Sequence, residues 1–176
     1  GQPAAAGAQG AAYRELVLSR DGTQVMAERV DAQTGQRGIW QIDLGRGIGT
    51  RLTPSSDSEE NMVLSPDGTE LVFTSDRKDG VGLFHKPLTG GAVTTLVASA
   101  ERKWPEDWSS DGRYIVSVTA THRQLEILPM FGDRKPFVFI DTLAFKDEPQ
   151  FSPDVHWLAY VADESGRYEI YVERFP

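Results

Sequence analysis

A five-residue phrase occurs four times along the chain. Leu18-Ser19-Arg20-Asp21-Gly22 reappears as Leu64-Ser65-Pro66-Asp67-Gly68, as Trp108-Ser109-Ser110-Asp111-Gly112 and, altered, as Phe151-Ser152-Pro153-Asp154-Val155. The serines are separated by 46, 44 and 43 residues. Each phrase lies between short runs of alternating apolar and polar residues. Asp-Gly between two such runs marks a hairpin, because glycine accepts positive φ without steric cost. A hairpin-bearing repeat of about 44 residues is the sequence signature of a β-propeller blade. One blade cannot bury both of its faces alone, so the blade number constrains everything else.

Each repeat supplies three short strands and usually a fourth. The second repeat has runs at 61–65, 70–75, 81–87 and 93–97, and the third at 106–109, 114–119, 124–130 and 136–140. The first has runs at 15–19, 24–29, 38–43 and 50–53. No stretch carries sustained helical periodicity. The expected fold is therefore all-β: a propeller of about four blades of four antiparallel strands, bounded at about 13–53, 59–97, 103–140 and 147–176. The fourth blade is expected to be incomplete, with runs only at 149–152, 157–163 and 168–175. Its turn carries Val155 where the others carry glycine. A β-branched residue is strained at positive φ, so a different turn geometry is expected there. Gly1 to Ala12, rich in Gly, Ala and Gln, reads as a flexible linker.

The formal charge of −8 argues against phosphate backbones as partners, so no nucleic-acid binding is expected. The chain has no cysteine, which removes disulfides, thiolate metal sites and a thiol nucleophile. No apolar run approaches the roughly 20 residues of a membrane span, so no direct membrane insertion is expected.

Catalytic signatures are missing. There is no G-x-S-x-G elbow, no phosphate-binding glycine loop and no H-E-x-x-H. His85, His122 and His156 fall on different repeats without ligand spacing. The recurring Ser19, Ser65, Ser109 and Ser152, like Asp21, Asp67, Asp111 and Asp154, recur because every blade needs the turn they build. The chain itself is expected to be no enzyme and to carry no cofactor or metal.

One pattern does not serve the blades equally. The segments leading into the innermost strands, which surround a propeller's axis, collect carboxylates: Asp57, Glu59 and Glu60, then Glu106 and Asp107, then Asp147 and Glu148. Trp104 precedes Pro105 in the same place. These residues form a candidate binding funnel for a cation or a basic peptide.

The segments "WPEDWSSDGRYIVSV" (104–118) and "EPQFSPDVHWLAYVADESGRYEIYVERFP" (148–176) resemble the TolB-like propeller repeat, and the likeness extends over about residues 13–176. "GDRKPFVFIDT" and "SGRYEIYVERFP" further resemble the propeller regions attached to some bacterial serine/threonine kinases and winged-helix regulators. The resemblance implies a non-catalytic module that docks a protein or peptide, and favours an extracytoplasmic location over a cytoplasmic one. The alternative is the substrate-gating propeller of a prolyl-oligopeptidase-like serine hydrolase whose catalytic part lies elsewhere. Propellers have four to eight blades. Three outcomes are open: the four blades close as a compact ring, two copies join head to tail into an eight-bladed homodimeric ring, or the segment is a partial propeller completed by further blades of a longer protein.

Overall fold

The computed structural model describes residues 12–53, 58–77 and 80–176. These form fifteen strands in four antiparallel sheets arranged as propeller blades. Blade 1 holds β1 (Ala12–Leu18), β2 (Gln24–Val30), β3 (Arg37–Asp43) and β4 (Ile48–Arg51). Blade 2 holds β5 (Ser58–Leu64), β6 (Glu70–Arg77), β7 (Gly80–Pro87) and β8 (Thr94–Ser99). Blade 3 holds β9 (Lys103–Trp108), β10 (Tyr114–Thr119), β11 (Gln124–Pro129) and β12 (Phe137–Asp141). Blade 4 holds β13 (Lys146–Phe151), β14 (Trp157–Ala162) and β15 (Glu169–Arg174), three strands as its short repeat predicts. Within every blade the strands pair in chain order. The linker expected at the start falls almost wholly on residues 1–11, outside the described residues, and Ala12 already belongs to β1.

The repeated phrase closes the first hairpin of each blade in one geometry. In blade 3 the Ser109 hydroxyl donates to Asp111 (2.6 Å) and accepts from the Tyr114 amide (2.9 Å), while the Gly112 amide donates to the Ser109 carbonyl (2.8 Å). Ser19 and Ser65 repeat this pattern with Asp21 and Asp67. The hydroxyl bond leads the causes that hold the carboxyls of Asp21 and Asp67 below the usual range.

The fourth turn corrects an expectation. Val155 does not redirect the chain; it takes φ +59°, beside +68°, +73° and +74° for Gly22, Gly68 and Gly112. The Val155 amide still donates to the Ser152 carbonyl (2.9 Å), and the Trp157 amide to the Ser152 hydroxyl (3.0 Å). The Ser152 hydroxyl and the His156 amide also bond Asp154, holding its carboxyl at about 2. This hydrogen-bonded frame over-determines the turn, so the strain falls on valine instead of reshaping the loop.

Alternating side chains on the middle strands pack neighbouring blades together. Phe73 and Leu71 of β6 meet Met26 and Ile39 of blade 1, whereas Val72 meets Ile115 and Trp108 of blade 3. Val116 and Val118 of β10 meet Leu158 and Tyr160 of β14. Three hydrophobic clusters thus join blades 1 to 2, 2 to 3 and 3 to 4; among the described residues none joins blade 4 to blade 1.

Candidate functional site

The innermost strands begin earlier than their apolar alternation indicates. β5, β9 and β13 start at Ser58, Lys103 and Lys146, so the acids expected on connecting segments lie within the strands themselves. The alternation is masked because each inner strand carries a β-bulge, where one extra residue breaks the period of two. The register shifts between Tyr13 and Leu16 in β1, Glu60 and Met62 in β5, Pro105 and Asp107 in β9, and Asp147 and Gln150 in β13. Asn61 and Glu148 sit at these bulges with φ +42° and +51°.

The bulges aim polar side chains at the axis. Glu15, Asn61, Glu106 and Glu148, one from each blade, line a cavity of about 330 Å³ together with Trp104, His122 and Asp147. Burial is the main reason that the Glu106 carboxyl is pushed up to about 8, and Asp147, Glu15 and Glu148 add repulsion. Glu106 is therefore mostly neutral at pH 7, among carboxylates that crowd it. Glu15 is also raised, first by burial and then by Glu60, against the pull of Arg37 and Arg14.

The aromatic wall is built by His122 at the β10–β11 turn. Its ring stacks on Phe145 at 4.5 Å between centroids and tilts against Trp104 at 5.1 Å. His122 Nδ1 lies 3.1 Å from the Lys146 carbonyl oxygen. Lys146 is itself fully buried; its ammonium donates to Thr142 and to the Ala144 carbonyl (3.1 Å) and lies 3.7 Å from Glu164. It supports the wall and does not reach into the funnel.

Of the eight residues singled out from the sequence, Trp104, Glu106, Asp147 and Glu148 meet in this cavity. Asp57 lies outside the described residues. The other three serve the frame. Glu59 is fully buried against Arg77 at 3.0 Å. Glu60 is clamped between Arg37 of blade 1 and Arg102 at the start of blade 3, tying three blades together. Asp107 accepts from its own neighbour's amide at Trp108 (2.9 Å) and from the Phe151 amide of blade 4 (2.7 Å).

Glu15, Asn61 and His122 were not anticipated. A signal existed for two of them: Glu15, Asn61 and Glu148 all stand four places before the repeated serine. In blade 3 Pro105 holds that place, and the bulge moves on to Glu106. Nothing in the sequence around His122 marked it. Among the described residues no group of three or more His, Asp or Glu is placed to hold a metal ion.

The opposite end of the axis is lined differently. Arg20, Ser65, Pro66, Trp108, Ser110, Ser152 and Pro153 border a cavity of about 420 Å³ formed by the hairpin turns of all four blades. A family model, that of the TolB beta propeller domain, matches residues 17–172, which include the four repeated turns. The chain belongs to the TolB beta propeller family. A curated relative, the uncharacterized protein Atu1656 of Agrobacterium fabrum, is 24% identical over 135 residues, covering 70% of this chain and 46% of that protein. TolB from Acinetobacter baumannii superposes with a TM-score of 0.74 at 23% identity, over 90% of this chain and 40% of that one. A puromycin-hydrolyzing peptidase of Mycobacterium tuberculosis superposes with a TM-score of 0.69 at 19% identity, over 93% and 30%. This TolB-type propeller thus spans less than half the length of each. At these identities the solved structures share its fold, and fold alone does not carry activity.

Proposed function

We propose that this TolB-type propeller is a non-catalytic docking module whose acidic funnel receives a cationic group, in the first place a lysine or arginine side chain of a peptide. The observation that carries this reading is the convergence of Glu15, Glu106, Asp147 and Glu148 from three blades on one cavity with Trp104 at its wall. Carboxylates attract a cation and an indole face adds cation–π attraction. The likeness to propellers attached to serine/threonine kinases and winged-helix regulators supports a sensing or docking role in a signalling protein.

A second reading comes from the peptidase propeller among the structural neighbours. In that case the same funnel gates peptides towards a hydrolase domain instead of holding them. Titration with short lysine- or arginine-containing peptides, followed by tryptophan fluorescence, tests the docking function. The Glu106→Gln/Asp147→Asn double variant should lose at least tenfold in affinity while Asp107, Glu59 and Glu60 stay untouched. Unchanged affinity in that variant, or no basic-peptide binding in the wild type, would sink it. Peptides that bind without preference for cationic residues would favour gating.

A further inference from the structure

The hairpin-end cavity of about 420 Å³ lies at the other end of the axis from the acidic funnel, and its lining follows the repeat. The serines and aspartates of the repeated phrase hold the turns. The residues before and between them line the cavity, one of each from every blade. The places before the serine are Leu18, Leu64, Trp108 and Phe151, which form an apolar tier. The places between serine and aspartate are Arg20, Pro66, Ser110 and Pro153. This second tier is uncharged except for Arg20.

Most side-chain donors in this lining are already used. The Ser65 and Ser152 hydroxyls donate to Asp67 and Asp154. The Ser110 hydroxyl donates to the Pro153 carbonyl (2.7 Å), and the Trp108 indole N–H to the Gly112 carbonyl (3.1 Å). Asp107 accepts the amides of Trp108 and Phe151, and burial pushes its carboxyl up, so it offers a cation little. Arg20 differs: it is exposed and meets no hydrogen-bond or ion-pair partner among the described residues. The nearby carboxylates of Asp21 and Asp67 are taken up by the serine and threonine of their own turns. A guanidinium with free donors beside an apolar tier complements a carboxylate joined to an apolar body. The turn aspartates around the mouth repel a polyanion, so a single negative charge suits the site.

We infer that this cavity binds a monoanionic carboxylate with an apolar or aromatic body, the carboxylate paired with Arg20 and the body seated among Leu18, Leu64, Trp108 and Phe151. A cavity of this size lies in the range that holds small ligands. A chain terminus ending in an apolar residue and a free small molecule can both present this chemistry. The site is independent of the acidic funnel, for which a ligand of the opposite charge is proposed.

Isothermal titration with N-acetyl-phenylalanine tests this on the chain as it stands, with saturation expected at a Kd of roughly 1 mM or tighter. N-acetyl-phenylalaninamide, which lacks the charge, and N-acetylglycine, which lacks the apolar body, should each bind about tenfold more weakly. Arg20→Gln, at an exposed position that holds no turn, should weaken the carboxylate by about tenfold and leave the amide unchanged. Arg46→Gln, at an exposed arginine outside the cavity, should bind like the wild type. The Glu106→Gln/Asp147→Asn variant should also bind the probe unchanged, so failure here and failure of basic-peptide docking are told apart. A hexapeptide ending in phenylalanine with a free carboxylate separates the two sources: tighter binding than the probe assigns the site to a chain terminus, weaker binding to a free small carboxylate. No saturation by either ligand at about 10 mM, or an affinity indifferent to the amide or to Arg20→Gln, would overturn the inference.

Discussion

The two ends of the propeller axis are built from the same four repeats and differ in kind. At the hairpin end every blade presents the same residues, Ser19, Ser65, Ser109 and Ser152 with their aspartates, bonded in the same way. At the bulge end every inner strand carries a bulge, and the bulges present different residues, Glu15, Asn61, Glu106 and Glu148. Residues that repeat are explained by the blade. Residues that differ at a repeated place are free of that duty, and here they converge on a cavity. Not every acid near the bulges lines that cavity: Glu60 and Asp107 hold blades together, and Asp107 borders the hairpin-end cavity.

The largest expected effect divides the acids at that end. Glu60→Ala leaves Arg37 and Arg102 without their shared carboxylate and should cost about 2 kcal/mol, lowering Tm by roughly 4–8 °C. Glu148→Gln, at an exposed bulge residue, should leave Tm unchanged and weaken basic-peptide binding. A thermal melt and a peptide titration on both variants check the division; equal stability losses would erase it.

At the hairpin end, Ser109→Ala removes a fully buried hydroxyl that bonds both Asp111 and the Tyr114 amide. A loss of about 1.5 kcal/mol in urea unfolding is expected, with peptide affinity intact. Reduced affinity at full stability would contradict the structural role of this end.

Glu106 links stability to pH. Its carboxyl is raised from 4.5 to about 8 in the folded chain. Below pH 4.5 both folded and unfolded forms are protonated and no penalty exists. As pH climbs through 4.5 the unfolded form ionises first, so folding loses free energy until the folded carboxyl ionises near 8. Glu106→Gln should therefore be more stable than the wild type by about 1 kcal/mol at pH 8, the full shift being discounted because the group borders an open cavity. The gain should vanish below pH 4.5, and a pH series of denaturation curves reads it directly. A smaller effect is expected at the strained fourth turn, where Val155→Gly trades an αL valine for glycine and should add about 0.5 kcal/mol.

The fold was legible because repeats make a turn signal visible four times over, and the three strands of the last sheet showed as three runs in its repeat. Strand starts were less legible. Period-two patterning stops at a bulge, so β5, β9 and β13 seemed to begin where their alternation resumed, and Glu60 and Asp147 looked like loop residues. Val155 misled for the opposite reason: its propensity argued for a new turn, and the bonds of Ser152 and Asp154 outweighed it. The division of the acids was hidden from sequence altogether, because Glu60 and Glu106 differ only in which arginines the tertiary fold brings near them.

The most direct test of the acidic funnel is the proton count on binding. Isothermal titration of a lysine-containing peptide at pH 7, repeated in buffers of different ionisation enthalpy, measures protons released per complex. A cation entering beside Glu106 should ionise its carboxyl, releasing close to one proton, and Glu106→Gln should abolish that release. Binding without proton release in the wild type would place the peptide elsewhere and contradict the account.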